Sequence, residues 1–173
     1  MIKFSLFSTL VLYFPQFINS KECNKIFKLL KTKKCYDHDA LIRGKSSHRS
    51  RVSTDILSEI SIDLTPPLQE YSNQSRIKIV NKISNCWFNI QDKESVLKEH
   101  SHSNSILSGG LFINVGKKAS KLYFHNPNPF VPYTLRKEPL NDYSYEWFSF
   151  NPKKGDLIIF PSWLKHGSNY NKN

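Results

Sequence analysis

The residues whose types and spacing could do chemistry fall in two short segments. One is Glu99-His100-Ser101-His102; the other runs from Gly155-Asp156 through Leu157-Ile158-Ile159-Phe160-Pro161-Ser162-Trp163-Leu164-Lys165 to His166. Side chains alternate between the two faces of an extended strand, so His100 and His102 point one way while Glu99, Ser101 and Ser103 point the other. Two imidazoles then converge. A turn at Pro152-Lys153-Lys154-Gly155-Asp156, an apolar run rich in β-branched and aromatic side chains, and a proline-containing bend deliver His166 from a different strand. Three imidazoles suit Fe, Zn, Cu or Ni and leave coordination positions open for water, substrate or dioxygen. A His-x-His pair by itself recurs by chance on solvated strands, and only the second segment raises it to a metal-site expectation.

The rest of the chain must position these rings. Its 173 residues, 39% of them hydrophobic and 13% aromatic, suit a single globular domain spanning 1–173 with a core of its own. The net charge of +11 comes from lysines spread over the whole length. Two basic clusters stand out, Lys31-Thr32-Lys33-Lys34 and Arg43 to Arg51, yet neither makes the long single-faced run of a nucleic-acid binder, so a nucleic-acid partner is not expected. Cys23, Cys35 and Cys86 are odd in number and widely spaced. They imply neither a disulfide framework nor a Cys-x-x-Cys zinc site, and fit a reducing, cytoplasmic setting. The apolar run Phe4 to Phe14 imitates a secretory signal but is followed by no Ala-x-Ala site, and it falls short of the roughly 20 apolar residues that cross a bilayer. It reads as a buried first strand, with no membrane partner.

Asn19-Ser20 offers a cap to a helix through Cys23, Ile26, Phe27, Leu29 and Leu30, which form one apolar stripe. Residues 31–53 lack periodicity and read as a long loop. Ser53-Thr54-Asp55 caps a second helix through Ile56, Ile60 and Leu64, which Pro66-Pro67 stops or kinks. Arg76 to Ile90 reads as a strand, Gln91 to Lys98 as a polar turn, and Ile106 to Val115 as a strand whose Gly109-Gly110 pair lets another group approach, usefully so beside a metal. Further strands are expected at Ser120–His125, Tyr145–Phe150 and Leu157–Phe160. Two helices followed by about seven turn-linked strands argue for a mainly β fold, a barrel or sandwich of antiparallel strands with the two N-terminal helices packed outside.

Taken together, Trp87-x-Asn89, His100-x-His102-x-Asn104-Ser105-x-Leu107-Ser108-Gly109, Leu122-Tyr123-Phe124-His125-Asn126-Pro127 and the segment Gly155 to His166 resemble the 2-oxoglutarate/Fe(II) oxygenases common in marine bacteria and their phages. The resemblance implies a double-stranded β-helix, or jelly roll, related to prolyl-hydroxylase-like enzymes. It also implies Fe(II) as cofactor, 2-oxoglutarate as cosubstrate, and hydroxylation of an unknown substrate, a small molecule or a protein side chain. His100 takes the first ligand position, His102 stands where these enzymes usually carry a carboxylate, and His166 is the distal ligand. Relatives continue beyond the distal histidine into a strand with an arginine for the cosubstrate; the seven residues after His166 hold none. Lys121 and Asn89 are the expected substitutes, and Trp87, Phe112 and Tyr123 the expected apolar wall of the substrate pocket. Two other readings stay open: a cupin-type metal protein that uses the three histidines without 2-oxoglutarate, and a non-catalytic jelly-roll interaction module.

Overall fold

The computed structural model describes residues 2, 8–48, 56–79, 82–141 and 144–172. In chain order its elements are β1 (Leu12–Phe14), α1 (Ser20–Leu30), β2 (Tyr36–Asp37), β3 (Leu41–Ser46), α2 (Leu57–Ile60), α3 (Thr65–Ser75), β4 (Asn89–Leu97), β5 (Leu107–Leu111), β6 (Leu122–His125), β7 (Trp147–Phe150), β8 (Leu157–Pro161) and β9 (His166–Ser168). The strands pair antiparallel in three sheets of order β1-β8-β5, β2-β3-β4 and β7-β6-β9.

The run Leu157 to Phe160 is uninterruptedly apolar because β8 is covered on both faces. Leu157 and Ile159 pack with Tyr71 of α3 and with Leu10, Leu12, Phe14 and Leu107. Ile158 and Phe160 turn the other way, onto Phe124 and Leu164. Burying each such side chain contributes about 1.5–3 kcal/mol, so β8 is the stable rail that ends next to the histidines. Its neighbour β5 approaches so closely that a Cβ on Gly109 would lie 2.8 Å from the Ile158 carbonyl oxygen, whereas one on Gly110 would have ordinary room. Gly109 thus admits the close approach of the β8 backbone, while Gly110 is not required by it.

Helix α1 forms where expected. The Asn19 side chain accepts the N–H groups of Lys21 and Glu22 at 2.9 and 3.0 Å, and the Glu22 carboxylate accepts the Asn19 N–H at 3.0 Å. This reciprocal capping is worth about 1 kcal/mol. The buried residues Cys23, Ile26 and Leu30 dock it on Ile18 and Ile56. The second helix differs from expectation. Its cap at 53–55 lies outside the described residues, α2 is a single turn, and Pro66-Pro67 open α3 instead of ending a helix. Proline fits the first turn because the N–H groups there have no intrahelical partner.

Two further corrections concern strands. The expected loop at 31–53 contains β2 and β3, and the expected turn at Gln91–Lys98 is most of β4. The expected strand at Arg76–Ile90 is irregular where described, apart from one bridge at Cys86 and the start of β4; Val80 and Asn81 lie outside the described residues. The alternation that would announce β3 and β4 is broken at Arg43 and Glu94, both with left-handed backbone, φ 50° and 67°. The register of the pair shifts between Ile42 and Gly44, and an Arg43–Glu94 ion pair ties the two irregular positions together. An irregularity of this kind erases the period-2 signal in the sequence and interrupts the ladder locally, while the pairing resumes on either side. Of the expected first strand, Leu12–Phe14 is a strand and pairs with β8, but it is not buried as expected, since Leu12 and Phe14 are half-buried and Tyr13 is exposed; residues 3–7 lie outside the described set, and so do 49–51 of the basic cluster. β9 runs along β6, so β6 is flanked on both sides by β7 and β9. Among the described residues no helix is long and apolar enough to cross a membrane.

Candidate metal centre

Backbone pairing brings the two histidine segments together. The His100 N–H donates to the His166 carbonyl at 3.0 Å and the His166 N–H donates back to the His100 carbonyl at 2.9 Å. Directly opposed residues of an antiparallel pair put their side chains on one face, and the two ring centroids are 4.4 Å apart. Two residues on, the His102 N–H donates to the Ser162 carbonyl at 2.9 Å. Its ring centroid lies 5.0 Å from that of His100 and 5.1 Å from that of His166. The three rings each offer a ligand nitrogen, and these atoms all lie within 4.8 Å of one another.

Hydrogen bonds select the tautomer. Nδ1 of His100 is 2.8 Å from the Lys98 carbonyl and Nδ1 of His166 is 2.8 Å from the Leu164 carbonyl. A carbonyl oxygen only accepts, so both Nδ1 atoms carry the proton and both Nε2 lone pairs are free for a cation. Burial, reinforced by the neighbouring His100 and His48, lowers the His102 pKa to about 4. Burial also lowers that of His166 to about 4, against the opposing hydrogen bond to Leu164 and with added repulsion from His100 and His102. Both rings are therefore neutral at pH 7, the form that binds metals. Metal–nitrogen bonds of about 2.0–2.1 Å would draw these nitrogens closer together around one ion. The donor set fits Fe(II), and because it is uncharged it leaves the full +2 of the cation to meet an anionic cosubstrate.

Glu99 points away from the cluster, as the alternation requires. Its carboxylate lies 3.2 Å from His125 Nδ1 and 3.9 Å from Lys165 Nζ. The wall behind His166 is made by Phe160, at 4.6 Å between ring centroids, and Phe124, at 6.1 Å. Trp87 closes the His102 side at 5.7 Å, and the His48 ring lies 5.0 Å beyond it. Of the expected pocket residues, then, Trp87 meets the cluster. Phe112 packs one step deeper, against the Phe124–Ile158–Phe160 group. Tyr123 does not face the rings. Phe124 is the residue paired with His166, so its neighbours Tyr123 and Lys121 occupy the opposite face of the sheet. Tyr123 instead lies over Gly167, where an added Cβ would come within 2.7 Å of its hydroxyl. Lys121 is exposed, and Asn89 is exposed opposite Ser46 at the start of β4. Phe124, Phe160, Ser162 and His48 are the contributors that sequence reasoning missed. Only the shared register of Phe124 with His166 identifies the first, and no local pattern announces the others.

The family model described as "Putative 2OG-Fe(II) oxygenase" matches residues 85–173, more than half of the chain and all three histidines. No curated protein matches the sequence. Among solved structures, a prolyl-4-hydroxylase from Pseudomonas putida superposes with a TM-score of 0.64 at 10% identity, covering 96% of this chain and 88% of that one. A 2OG-Fe(II) oxygenase-family oxidoreductase from Burkholderia pseudomallei gives 0.66 at 11% identity, with 94% and 78% covered. HygX from Streptomyces hygroscopicus, crystallised with nickel, 2-oxoglutarate and hygromycin B, gives 0.62 at 11% identity, with 95% and 78% covered. At such identities these likenesses establish the fold, the antiparallel jelly roll expected from the sequence. The matched segment carries the whole imidazole cluster on that fold, and the chain belongs to the 2OG-Fe(II) oxygenase family.

Proposed function

We propose that His100, His102 and His166 are the iron ligands of this oxygenase and that it hydroxylates a C–H bond of a largely uncharged substrate group, working as one domain in the cytoplasm. The observation that carries the ligand assignment is the convergence of three imidazoles, two with Nδ1 committed to backbone carbonyls and two held neutral by burial. His100, His102 and His166 would hold Fe(II), which with 2-oxoglutarate would supply O₂ activation with the balance R–H + 2-oxoglutarate + O₂ → R–OH + succinate + CO₂, two of the four electrons coming from 2-oxoglutarate and two from the C–H bond. The chain's own residues hold and screen that chemistry. Leu164 and Lys98 orient two of the rings through their carbonyls, which is the usual means of raising ligand basicity and fixing the imidazole plane. Phe160 and Phe124 keep water from the back of His166, and Trp87 offers an aromatic face on the His102 side, where an apolar substrate group can pack. The free thiols of Cys23 and Cys35 support the cytoplasmic setting. Lys121 and Asn89 are both exposed, and this reading gives neither a cosubstrate role.

The test is anaerobic reconstitution with Fe(II) and 2-oxoglutarate. The parent protein develops the weak visible charge-transfer band of the ternary complex, and His166→Ala and His102→Ala each lose it. A parent without the band, or either variant retaining it at full intensity, refutes the ligand assignment.

A further inference from the structure

The loop that carries His102 is fastened to the rest of the site through one residue. Ser162 is 1% exposed, and every polar group it has is engaged with residues 102–108. Its carbonyl accepts the His102 N–H at 2.9 Å and its N–H donates to the Ile106 carbonyl at 2.9 Å. Its hydroxyl lies 2.7 Å from that of Ser105 and 2.8 Å from that of Ser108. A hydroxyl gives one proton and accepts at its lone pairs, so Ser162 can donate to one partner while accepting from the other, a short chain of mutually polarised bonds. The loop it fastens turns at Asn104, with φ 63°.

The far side of Ser162 leads directly to the distal ring. The Leu164 N–H donates to the Pro161 carbonyl at 3.0 Å, closing a turn, and the Leu164 carbonyl in that turn orients His166 through its Nδ1. One turn, 161–166, therefore supports two of the three rings: it holds His166 covalently and His102 by hydrogen bonds. Ser108 sits in β5 opposite Phe160 of β8, so the hydroxyl cluster also couples the His102 loop to the most deeply buried strand of the fold.

We propose that Ser162 is a positioning residue for the metal centre, its hydroxyl fixing the His102 ring at the separation from His166 that one cation requires. The inference rests on the reading of His102 as a ligand. Without the hydroxyl, Ser105 and Ser108 lose their common partner, the 103–108 loop keeps only its backbone bonds to residue 162, and the His102 nitrogen wanders relative to the other two.

The experiment measures Zn(II) affinity by competition with a chromophoric chelator, the visible spectrum of the Co(II)-loaded protein, and the thermal midpoint of the metal-free protein. It is run on the parent, Ser162→Ala, His102→Ala, the double variant and Ser105→Ala. Loss of a group that orients a ligand typically costs about 10- to 100-fold in metal affinity, and that is the loss expected for Ser162→Ala, with altered Co(II) bands. Ser105→Ala gives a smaller loss in the same direction. In the His102→Ala background the serine substitution has no further effect on affinity, since it acts through that ring. A folded Ser162→Ala protein whose Zn(II) affinity stays within about threefold of the parent overturns the proposal, and so does an equal loss in the double variant, which marks general destabilisation. Should Ser162→Ala fail to fold, Ser105→Ala decides: parent affinity and parent Co(II) bands overturn the proposal. If His102→Ala alone leaves affinity unchanged, the ligand reading of His102 is what falls.

Discussion

Replacing His166 with asparagine and comparing the metal-free proteins across pH isolates the cost of holding an imidazole neutral in this site. His166 is 4% exposed and its pKa falls from the ordinary 6.5 to about 4. The unfolded chain binds a proton at that ring as pH drops through 6.5, while the folded chain resists until about 4, so unfolding takes up a proton throughout that window. Stability from this ring is complete above pH 6.5, falls as pH goes from 6.5 to 4, and is fully lost below. At 1.36 kcal/mol per unit, the full swing is about 3 kcal/mol, and about 2 kcal/mol of it is gone by pH 5. His102 shifts in the same direction over the same window, but that ring is more open to solvent and its share is smaller after screening. Urea denaturation of both metal-free proteins at pH 7.5, 6.0 and 5.0 reads the effect, because the asparagine variant keeps every other titrating group. The parent should lose about 2 kcal/mol more than His166→Asn between pH 7.5 and 5.0. Equal losses in the two proteins would mean that the ring is not held neutral, and the argument from burial to metal readiness would fail with it.

Three other outcomes are expected. Asp156 is fully buried and its carboxylate accepts from the Tyr13 hydroxyl, the Gln16 N–H at 2.9 Å and the Lys153 N–H at 2.6 Å. Asp156→Ala leaves those backbone donors unpaired, and chemical denaturation should show a loss of about 3–5 kcal/mol; a loss below 1 kcal/mol would show that water replaces the carboxylate. Phe160→Ala opens a cavity between Phe124 and His166 and should cost about 3–5 kcal/mol in the same assay, whereas parent-like stability would show that the wall collapses into the gap. Glu99→Gln removes a carboxylate on the other face of the strand, so Zn(II) affinity should stay within about threefold of the parent, and a drop of the size seen for a ligand's orienting group would place Glu99 among the determinants of the site.

The candidate ligands were legible from residue type and local spacing. His100 and His102 share a face because two residues along an extended chain always do, whatever the rest of the protein is. The apolar run ahead of His166 also declares its own character, since a strand covered on both sides must be apolar on both sides. Asn19 with Glu22 likewise announces the start of α1 through interactions no more than three residues apart. These features depend on neighbours in sequence, and neighbours in sequence are what a sequence displays.

Where local patterning breaks, legibility ends. β3 and β4 carry left-handed residues at Arg43 and Glu94 and a register shift between Ile42 and Gly44, so their ladder exists without the alternation that would advertise it. Pro66-Pro67 are equally compatible with stopping one helix and starting another, and the burial of Tyr71 against β8 favours the second. The pocket wall shows the same limit. Tyr123 and Phe124 are adjacent aromatics on one strand, and nothing local says which faces the imidazoles.

The sequence by itself determined that three imidazoles, an apolar strand and a capped helix are present and which side chains share a local face. Only the tertiary structure decided that Phe124 lies opposite His166, that Tyr123 and Lys121 look the other way, and that Ser162 ties the His102 loop to the turn carrying the distal ring. The physical reason is register: a strand's two faces follow from covalent geometry, but which face meets which partner is set by long-range pairing, and a slip of one residue would exchange every side chain across the sheet.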